Sequence, residues 1–248
     1  KSFMAECYAG TVGIPCVKLR NFRSKYVGET ESNLEQVLNV LRSLGPVVVI
    51  IDEADASLGS READGDSGTS SRVFAMIASQ MGDTRYRGKI VWMLLTSRPD
   101  LLPIDLKRQG RAEVHIPLFY PLDDEEVDAM VKAMAKKNKV PLDEHSKPPS
   151  TPPRALSGAD IESLLRAAAR LAPAEGRPSV SSDDLRAAWN DFIPSAQGLE
   201  KEKQEIAAVL ECTQRRFLPE DWRAIVDQPD GRAKLQQKFS DLKALIEG

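Results

Sequence analysis

Two acidic side chains, Asp52 and Glu53, directly follow the most apolar run of the chain, Val47–Ile51. Its five consecutive β-branched residues leave no polar face, so they predict a strand buried on both faces, as in the middle of a parallel sheet. Such a strand ends at the carboxyl edge of the sheet, where α/β proteins bind their ligands. The acid pair therefore indicates a ligand site. A buried strand followed by a solvated acidic turn is the alternative.

The order of these residues resembles the Walker B element of P-loop NTPases. There the first carboxylate holds Mg²⁺ and the second orients a water molecule. Lys1 and Ser2 open a predicted helix earlier in the chain, as the end of a Walker A motif would. The resemblance implies that Lys1 reaches the β- and γ-phosphates of ATP and that Ser2 ligates Mg²⁺ together with Asp52. The glycine-rich turn that belongs before them is missing, so we expect the sequence to start inside that motif.

The composition excludes several other classes of site. The chain has 248 residues, 42% of them hydrophobic and 29% charged, with a net charge of −3. This balance disfavours nucleic acid as a partner, and the absence of an apolar run of about 18–20 residues predicts no transmembrane segment. The three cysteines lack metal-ligand spacing and suggest reduced thiols, while two histidines argue against histidine-based metal or triad chemistry. We expect a soluble, cytoplasmic protein.

The elements that must position the acid pair alternate between strands and helices up to about residue 120. This pattern predicts an α/β fold of the P-loop NTPase type, a parallel sheet with helices on both faces, over residues 1–120. The predicted strands are Cys16–Leu19, Val47–Ile51, Ile90–Leu95 and a shorter candidate at Val114–Ile116. The predicted helices after the first are Glu31–Ser43 and Arg72–Met81.

Beyond Pro121 the sequence is helical. Residues 121–195 are predicted to form a small all-α lid domain with Asp123 and Ser182 as helix N-caps. Residues 196–248 are predicted to be a helical C-terminal extension, which could pack on its own chain or on a neighbour. The predicted helices are Asp123–Lys137, Gly158–Leu171, Ser182–Phe192, a charged stretch at Leu199–Arg216, and Gly231–Ile246.

Together these residues resemble the AAA ATPases, specifically their protein-remodelling and microtubule-severing branch, over residues 1–194. One element that carries the resemblance is the segment Lys25, Tyr26, Val27 and Gly28. It looks like the family's first pore loop, which lines the central channel of a hexamer and grips an extended polypeptide. An aromatic residue beside a β-branched one can contact side chains of any sequence, and glycine lets the loop flex. The alternative is a surface turn with Tyr26 packed upon it.

The other elements imply roles in hydrolysis. By resemblance Asp52 binds Mg²⁺ and Glu53 is the base that orients the attacking water. Thr96–Ser97 occupies the place of sensor 1, where the family usually has asparagine at the position of Ser97; Thr96 is a possible substitute. Pro99 could equally make this a simple turn.

Two arginines complete the resemblance in the large domain. Arg111, with Arg108 second, resembles the finger that reaches the γ-phosphate of the next subunit, a task suited to a permanently charged guanidinium. The second finger common in this branch is replaced by Ala112–Glu113–Val114, and a solvated basic loop is the alternative. Gly158 and Ala159 look like the sensor 2 region that packs near adenine.

The resemblance thus implies an ATPase with ATP or ADP and Mg²⁺ as cofactors. It would assemble into a homo-oligomeric ring, expected to be a hexamer, and remodel polypeptide substrates as an unfoldase or chaperone. The alternative is a slow or inactive nucleotide-dependent scaffold, suggested by Ser97 and the missing second arginine. A nucleic-acid motor is disfavoured because the chain is acidic and lacks an aromatic-basic strand.

Overall fold

The computed structural model describes residues 1–19, 29–58, 69–150, 156–174, 176–193 and 198–247. Side chains are described from residue 31 in the second of these ranges and from residue 72 in the third. The chain divides into two compact units. The first contains residues 1–118 and 199–248, and the second contains residues 119–198. Within the described ranges no helix has the length and apolarity that crossing a lipid bilayer demands.

A parallel sheet of three strands lies at the centre of the first unit: β1 (Cys16–Leu19), β2 (Val47–Ile51) and β3 (Ile90–Leu94), in that spatial order. All five residues of β2 are buried, as a central strand with two covered faces requires. Leu19, Ile51 and Leu94 pair across the sheet, so all three strands end at the same edge.

Helices account for most of the remaining regular structure. In the described part of the chain they are α1 (Ser2–Val12), α2 (Glu29–Ser43), α3 (Ala54–Leu58), α4 (Thr69–Gly82), α5 (Ile104–Lys107), α6 (Asp124–Asn138), α7 (Gly158–Ala174), α8 (Ser182–Asp191), α9 (Gly198–Glu211), α10 (Glu220–Val226) and α11 (Gly231–Glu247).

Helices cover both faces of the sheet, and this confirms the predicted fold class. On one face, Ala5 and Ala9 of α1 pack against Val48 and Ile50 of β2. On the other face, α2 and α4 pack against the alternate residues of the same strand, and Ile77 of α4 is completely buried there. Period-two alternation therefore divides β2 between two small cores.

The predicted strand at Val114–Ile116 is wrong, because these residues form no strand in the structure. The backbone N–H of His115, between them, donates to the side-chain oxygen of Thr213 at 3.0 Å instead of to a neighbouring strand. The side chains of Val114 and Ile116 are exposed. Alternating apolar residues suggested a strand, but the segment binds the C-terminal part of the chain.

The second unit contains the three predicted helices, α6, α7 and α8. Asp123 caps α6 as expected, accepting a hydrogen bond from the backbone N–H of Glu126 at 2.8 Å. The predicted cap of α8 was one residue too late: Ser181, not Ser182, is the N-cap, and it forms a reciprocal capping box with Asp184. Ser181 is the N-cap because only this serine is followed three residues later by an acid, Asp184, whose carboxylate can accept a hydrogen bond from the backbone N–H of the cap.

The C-terminal helices α9 and α11 lie in the two stretches expected to be helical, but α9 ends at Glu211 and not at Arg216, and α10 was not predicted. The sequence left open where this segment packs. In the structure residues 199–248 belong to the first compact unit, and Ile206 and Val209 of α9 are buried.

Candidate functional site

The acid pair lies at the carboxyl edge of the sheet, where β2 ends at Ile51. Parallel pairing continues just past the strands, because the N–H of Leu95 donates to the carbonyl oxygen of Ile51 at 2.9 Å. The N–H of Ala54 then donates to the carbonyl oxygen of Leu95, also at 2.9 Å. These two bonds fix the acid pair between the end of β2 and the turn that follows β3.

The hydroxyl of Ser2 donates to Oδ2 of Asp52 at 2.5 Å. The other carboxylate oxygen, Oδ1, accepts a hydrogen bond from the backbone N–H of Glu53 at 3.0 Å. Two residues fifty positions apart, predicted to share one metal ion, are thus in direct contact. A hydroxyl and a carboxylate are oxygen ligands of the kind that Mg²⁺ prefers, and Mg²⁺ needs few protein ligands because water and phosphate complete its shell. The pair therefore fits Mg²⁺.

Lys1 is exposed and stands directly before α1. The N–H of Ala5 donates to its carbonyl oxygen at 3.1 Å, which begins the helical ladder. The free N–H groups at a helix start, together with a lysine, favour bound anions such as phosphate. The structure thus places the predicted phosphate-binding residue beside the predicted metal ligand Ser2.

Glu53 is exposed and has a backbone φ of +48°, in the left-handed region that non-glycine residues rarely adopt. This conformation turns the chain so that α3 can begin at Ala54, which is fully buried. Backbone strain of this kind persists only where the surrounding structure imposes it, and it concentrates at functional sites. It leaves the Glu53 carboxylate at the surface next to Asp52.

Thr96, rather than Ser97, contacts the acidic turn. Its hydroxyl donates to Oδ1 of Asp55 at 2.5 Å and accepts a hydrogen bond from the N–H of Arg98 at 2.8 Å. Ser97 is exposed. Both residues lie at the sheet edge expected for sensor 1, and Thr96 is the one held in place by its neighbours.

The two arginines both bind Asp105. Arg111 donates through Nη1 to the carbonyl oxygen of Asp105 at 2.9 Å, and Nη1 of Arg108 lies 3.3 Å from its carboxylate. Among the described residues neither arginine contacts Asp52 or Glu53. Hence both remain separate from the acid pair of their own chain.

Arg111 also lines a groove of about 290 Å³ with Tyr86 and Trp92. No residue of the acid pair lines this groove, so it is distinct from the candidate site.

The remaining predicted residues fall elsewhere. Lys25, Tyr26, Val27 and Gly28 lie outside the described residues. Gly158 and Ala159 begin α7 in the second unit, where Ser157 and Asp160 form the helix start: the Ser157 N–H donates to the Asp160 carboxylate at 2.8 Å.

Sequence reasoning missed Asp55 and the pair formed by Arg98 and Asp100. Asp55 belongs to the same acidic run as the predicted pair, and its contact with Thr96 follows from two parallel strands ending at one edge. The signal that could have found it was therefore present. Arg98 Nη2 lies 3.0 Å from the Asp100 carboxylate, and this hydrogen bond raises the pKa of Arg98.

Outside the Ser2–Asp52 pair, the described residues contain no group of three or more histidine, cysteine, aspartate or glutamate side chains able to hold a metal ion.

Comparisons with known proteins place part of the chain in a family. Residues 1–120 match the family described as "ATPase family associated with various cellular activities (AAA)". The chain is 27% identical over 238 residues to the ATP-dependent zinc metalloprotease FtsH 1 of Salinibacter ruber, an alignment covering 94% of this chain and 32% of that protein.

Two further relatives are similar. The AAA domain-containing protein ycf46 of Trieres chinensis is 31% identical over 202 residues, 79% of this chain and 40% of that protein. The cell division cycle protein 48 homolog of Archaeoglobus fulgidus is 28% identical over 174 residues, 69% of this chain and 24% of that protein. The chain thus spans less than half the length of each of these curated relatives.

Proposed function

Residues 1–120 match the AAA ATPase family, and we propose that the chain is the ATP-hydrolysing part of a ring-forming motor that remodels, unfolds or disassembles proteins. The proposed branch is the protein-remodelling and microtubule-severing one, and the proposed location is the cytoplasm. The observation that carries the proposal is the contact between Ser2 and Asp52 at the carboxyl edge of the sheet.

In this proposal Ser2 and Asp52 hold Mg²⁺, which when bound neutralises charge on the phosphates of ATP. Lys1 binds the β- and γ-phosphates with the start of α1. Glu53, exposed beside Asp52, accepts a hydrogen bond from the attacking water and orients it. Thr96 and Ser97 lie at the border of the site next to β3, and the hydrogen bond to Asp55 holds Thr96 in place.

Arg111 is proposed to act on the nucleotide of a neighbouring copy, with Arg108 second. Their contacts within this chain run to Asp105 and not to the acid pair, as a role in a neighbouring site requires. A contact that joins the arginine face of one copy to the nucleotide face of the next is head-to-tail. Such contacts form a ring when the rotation between copies closes, and we propose a ring of six copies.

The polypeptide partner is proposed from sequence alone. Lys25, Tyr26, Val27 and Gly28 would form the pore loop that grips it. In the second unit, Gly158 and Ala159 would pack near the adenine of ATP or ADP. Nucleic acid is not proposed as a partner.

The test is steady-state ATP hydrolysis by the full-length protein, compared with Glu53→Gln. Replacing the water-orienting carboxylate should lower kcat by about 10²–10⁴-fold and leave nucleotide binding intact. The matched control is Glu144→Gln, an exposed glutamate in the second unit that should hydrolyse ATP like the parent. A Glu53→Gln variant with parental turnover would reject the assigned role of Glu53.

A scaffold that hydrolyses slowly or not at all is the second candidate function. It is favoured by Ser97 at the position where the family usually has asparagine and by Ala112–Glu113–Val114 in place of a second arginine. Light scattering with ATP separates the two. Rings that form with ATP while the parent shows no turnover would support the scaffold.

A further inference from the structure

Helix α9 of the C-terminal segment contacts two of the elements that carry proposed hydrolysis residues. One is the turn of residues 96–100, and the other is the arginine segment, defined here as residues 104–113. Glu200 lies in the first turn of α9, and Glu211 is its last residue. Each of these glutamates faces one of the two elements.

At the start of α9, charged side chains of alternating sign connect the helix to the 96–100 turn; in order they are Lys203, Glu200, Arg98 and Asp100. Arg98 binds the carboxylate of Asp100 through Nε at 3.2 Å and Nη2 at 3.0 Å, while its Nη1 lies 3.9 Å from Oε1 of Glu200. The other oxygen of Glu200 lies 2.9 Å from Nζ of Lys203, whose side chain is only 2% exposed. This hydrogen bond holds the pKa of Glu200 below its usual range. Lys203 in turn needs the Glu200 charge, since a buried ammonium is costly without a partner.

At the end of α9 one ammonium joins three elements. Lys107, the last residue of α5, donates to Oε1 of Glu211 at 2.5 Å and to the carbonyl oxygen of Pro99 at 3.2 Å. The side chains of Lys107 and Glu211 are 17% and 28% exposed, so water screens this pair only in part. The C-terminus of a helix also favours a nearby cation through its dipole. The pair therefore links the arginine segment, the 96–100 turn and α9.

The chain beyond the arginines is attached to the same helix end. The ring nitrogen Nδ1 of His115 lies 2.7 Å from the carbonyl oxygen of Glu211, and Nε2 lies 2.8 Å from that of Ala112. The backbone N–H of His115 donates to Thr213 just after α9. Both sides of the arginine segment are therefore held by α9.

We propose that α9 is a positioning element for ATP hydrolysis, and that Glu211, through Lys107, fixes the arginine segment against the 96–100 turn. This inference rests on the proposed function, because it assumes that the turn and the arginines act on ATP. Glu211 contacts Lys107 and His115 and none of the proposed catalytic residues, so it would act only by positioning them. Displacements of about 1 Å remote from the chemistry can lower a rate by as much as about a hundredfold.

The experiment compares the full-length parent with Glu211→Gln, Lys107→Gln and the double variant. Glu202→Gln is the matched control, because Glu202 lies on the same helix but pairs with Lys238 and touches neither the turn nor the arginine segment. Steady-state kinetics gives kcat and KM for ATP. Hydrogen exchange of the backbone amides of residues 96–113 reports on positioning without requiring turnover.

Each single variant should lower kcat by about tenfold or more at unchanged KM, with faster exchange over residues 96–113. The double variant should be no slower than the slower single variant, because both substitutions remove the same contact between Lys107 and Glu211. Glu202→Gln should match the parent in both measurements.

Parental kcat in Glu211→Gln, or an equal loss in Glu202→Gln, would overturn the inference. A parent without turnover would instead refute the proposed function. In that case exchange decides whether α9 positions these elements: unchanged exchange in Glu211→Gln overturns the inference, and faster exchange supports it.

Discussion

Replacing Thr96 by valine should destabilise the first unit by about 2 kcal/mol. The hydroxyl makes one hydrogen bond to the Asp55 carboxylate at 2.5 Å and one to the Arg98 N–H at 2.8 Å. A hydrogen bond to a charged group contributes about 1.5–3 kcal/mol, and a neutral one contributes about 0.5–1.5 kcal/mol. Thr96 is partly exposed, so water would replace part of what valine removes, and the lower end of the sum applies. Valine keeps nearly the same shape, so little packing is lost.

Urea and thermal unfolding, followed by tryptophan fluorescence, measure this effect. A loss of about 2 kcal/mol corresponds to a fall in Tm of roughly 4–8 °C for a unit of this size. Ser97→Ala is the control, because Ser97 is exposed and should change stability by less than about 0.5 kcal/mol. A Thr96→Val variant with the parental midpoint, or an equal loss in Ser97→Ala, would refute the assignment of the structural contact to Thr96.

Two further predictions concern the second unit and the C-terminal segment. Arg177 donates to both carboxylate oxygens of Asp184, which is 4% exposed, and thereby holds the pKa of Asp184 below its usual range. The ion pair stabilises the fold fully above the unfolded pKa of aspartate, about 3.9, and this stabilisation is lost as pH falls toward the lower native pKa. Asp184→Asn should therefore lower the free energy of unfolding by about 1–3 kcal/mol at pH 7. Unfolding measured as a function of pH should show a weaker dependence on acid in this variant than in the parent. Gly231→Ala should cost about 1–3 kcal/mol in urea unfolding, because a Cβ there would lie 1.9 Å from the carbonyl oxygen of Ile225. Gly198→Ala, where nothing lies within 4 Å, should leave the midpoint unchanged or raised.

The central part of the fold could be predicted because local sequence determines it. The run Val47–Ile51 has no polar residue, so only a strand covered on both faces can accommodate it, and the structure buries all five side chains. The resemblance to Walker motifs assigned Ser2 and Asp52 to one metal ion, and the structure brings these two side chains into contact.

Contacts between distant segments could not be predicted. Val114–Ile116 has the alternation of a strand, but its partner is Thr213, and nothing in the local pattern shows that partner. The pair of Lys107 and Glu211 spans 104 positions, and two charged residues among many carry no sign of their pairing.

The left-handed backbone of Glu53 could not be predicted from the sequence either, because a glutamate rarely adopts it and the hydrogen bond beside it, from the N–H of Ala54 to the carbonyl oxygen of Leu95, joins distant segments. The error at the cap of α8 was local. Two adjacent serines compete for that position, and Asp184 decides between them.

A mixing experiment tests most directly the claim that ATP is hydrolysed at a site shared by two copies of the chain. Glu53→Gln and Arg111→Ala proteins, each inactive alone, are combined at varied ratios in the presence of ATP. If Arg111 completes the site of a neighbour, an intact site forms wherever an Arg111→Ala subunit supplies Glu53 and its neighbour supplies Arg111. With equal amounts and random placement in a head-to-tail ring, each of these two positions is filled by the required variant in about half of the cases. About a quarter of the sites should then be intact, and about a quarter of the parental turnover should be restored. Mixed assemblies that remain inactive at every ratio would contradict the account.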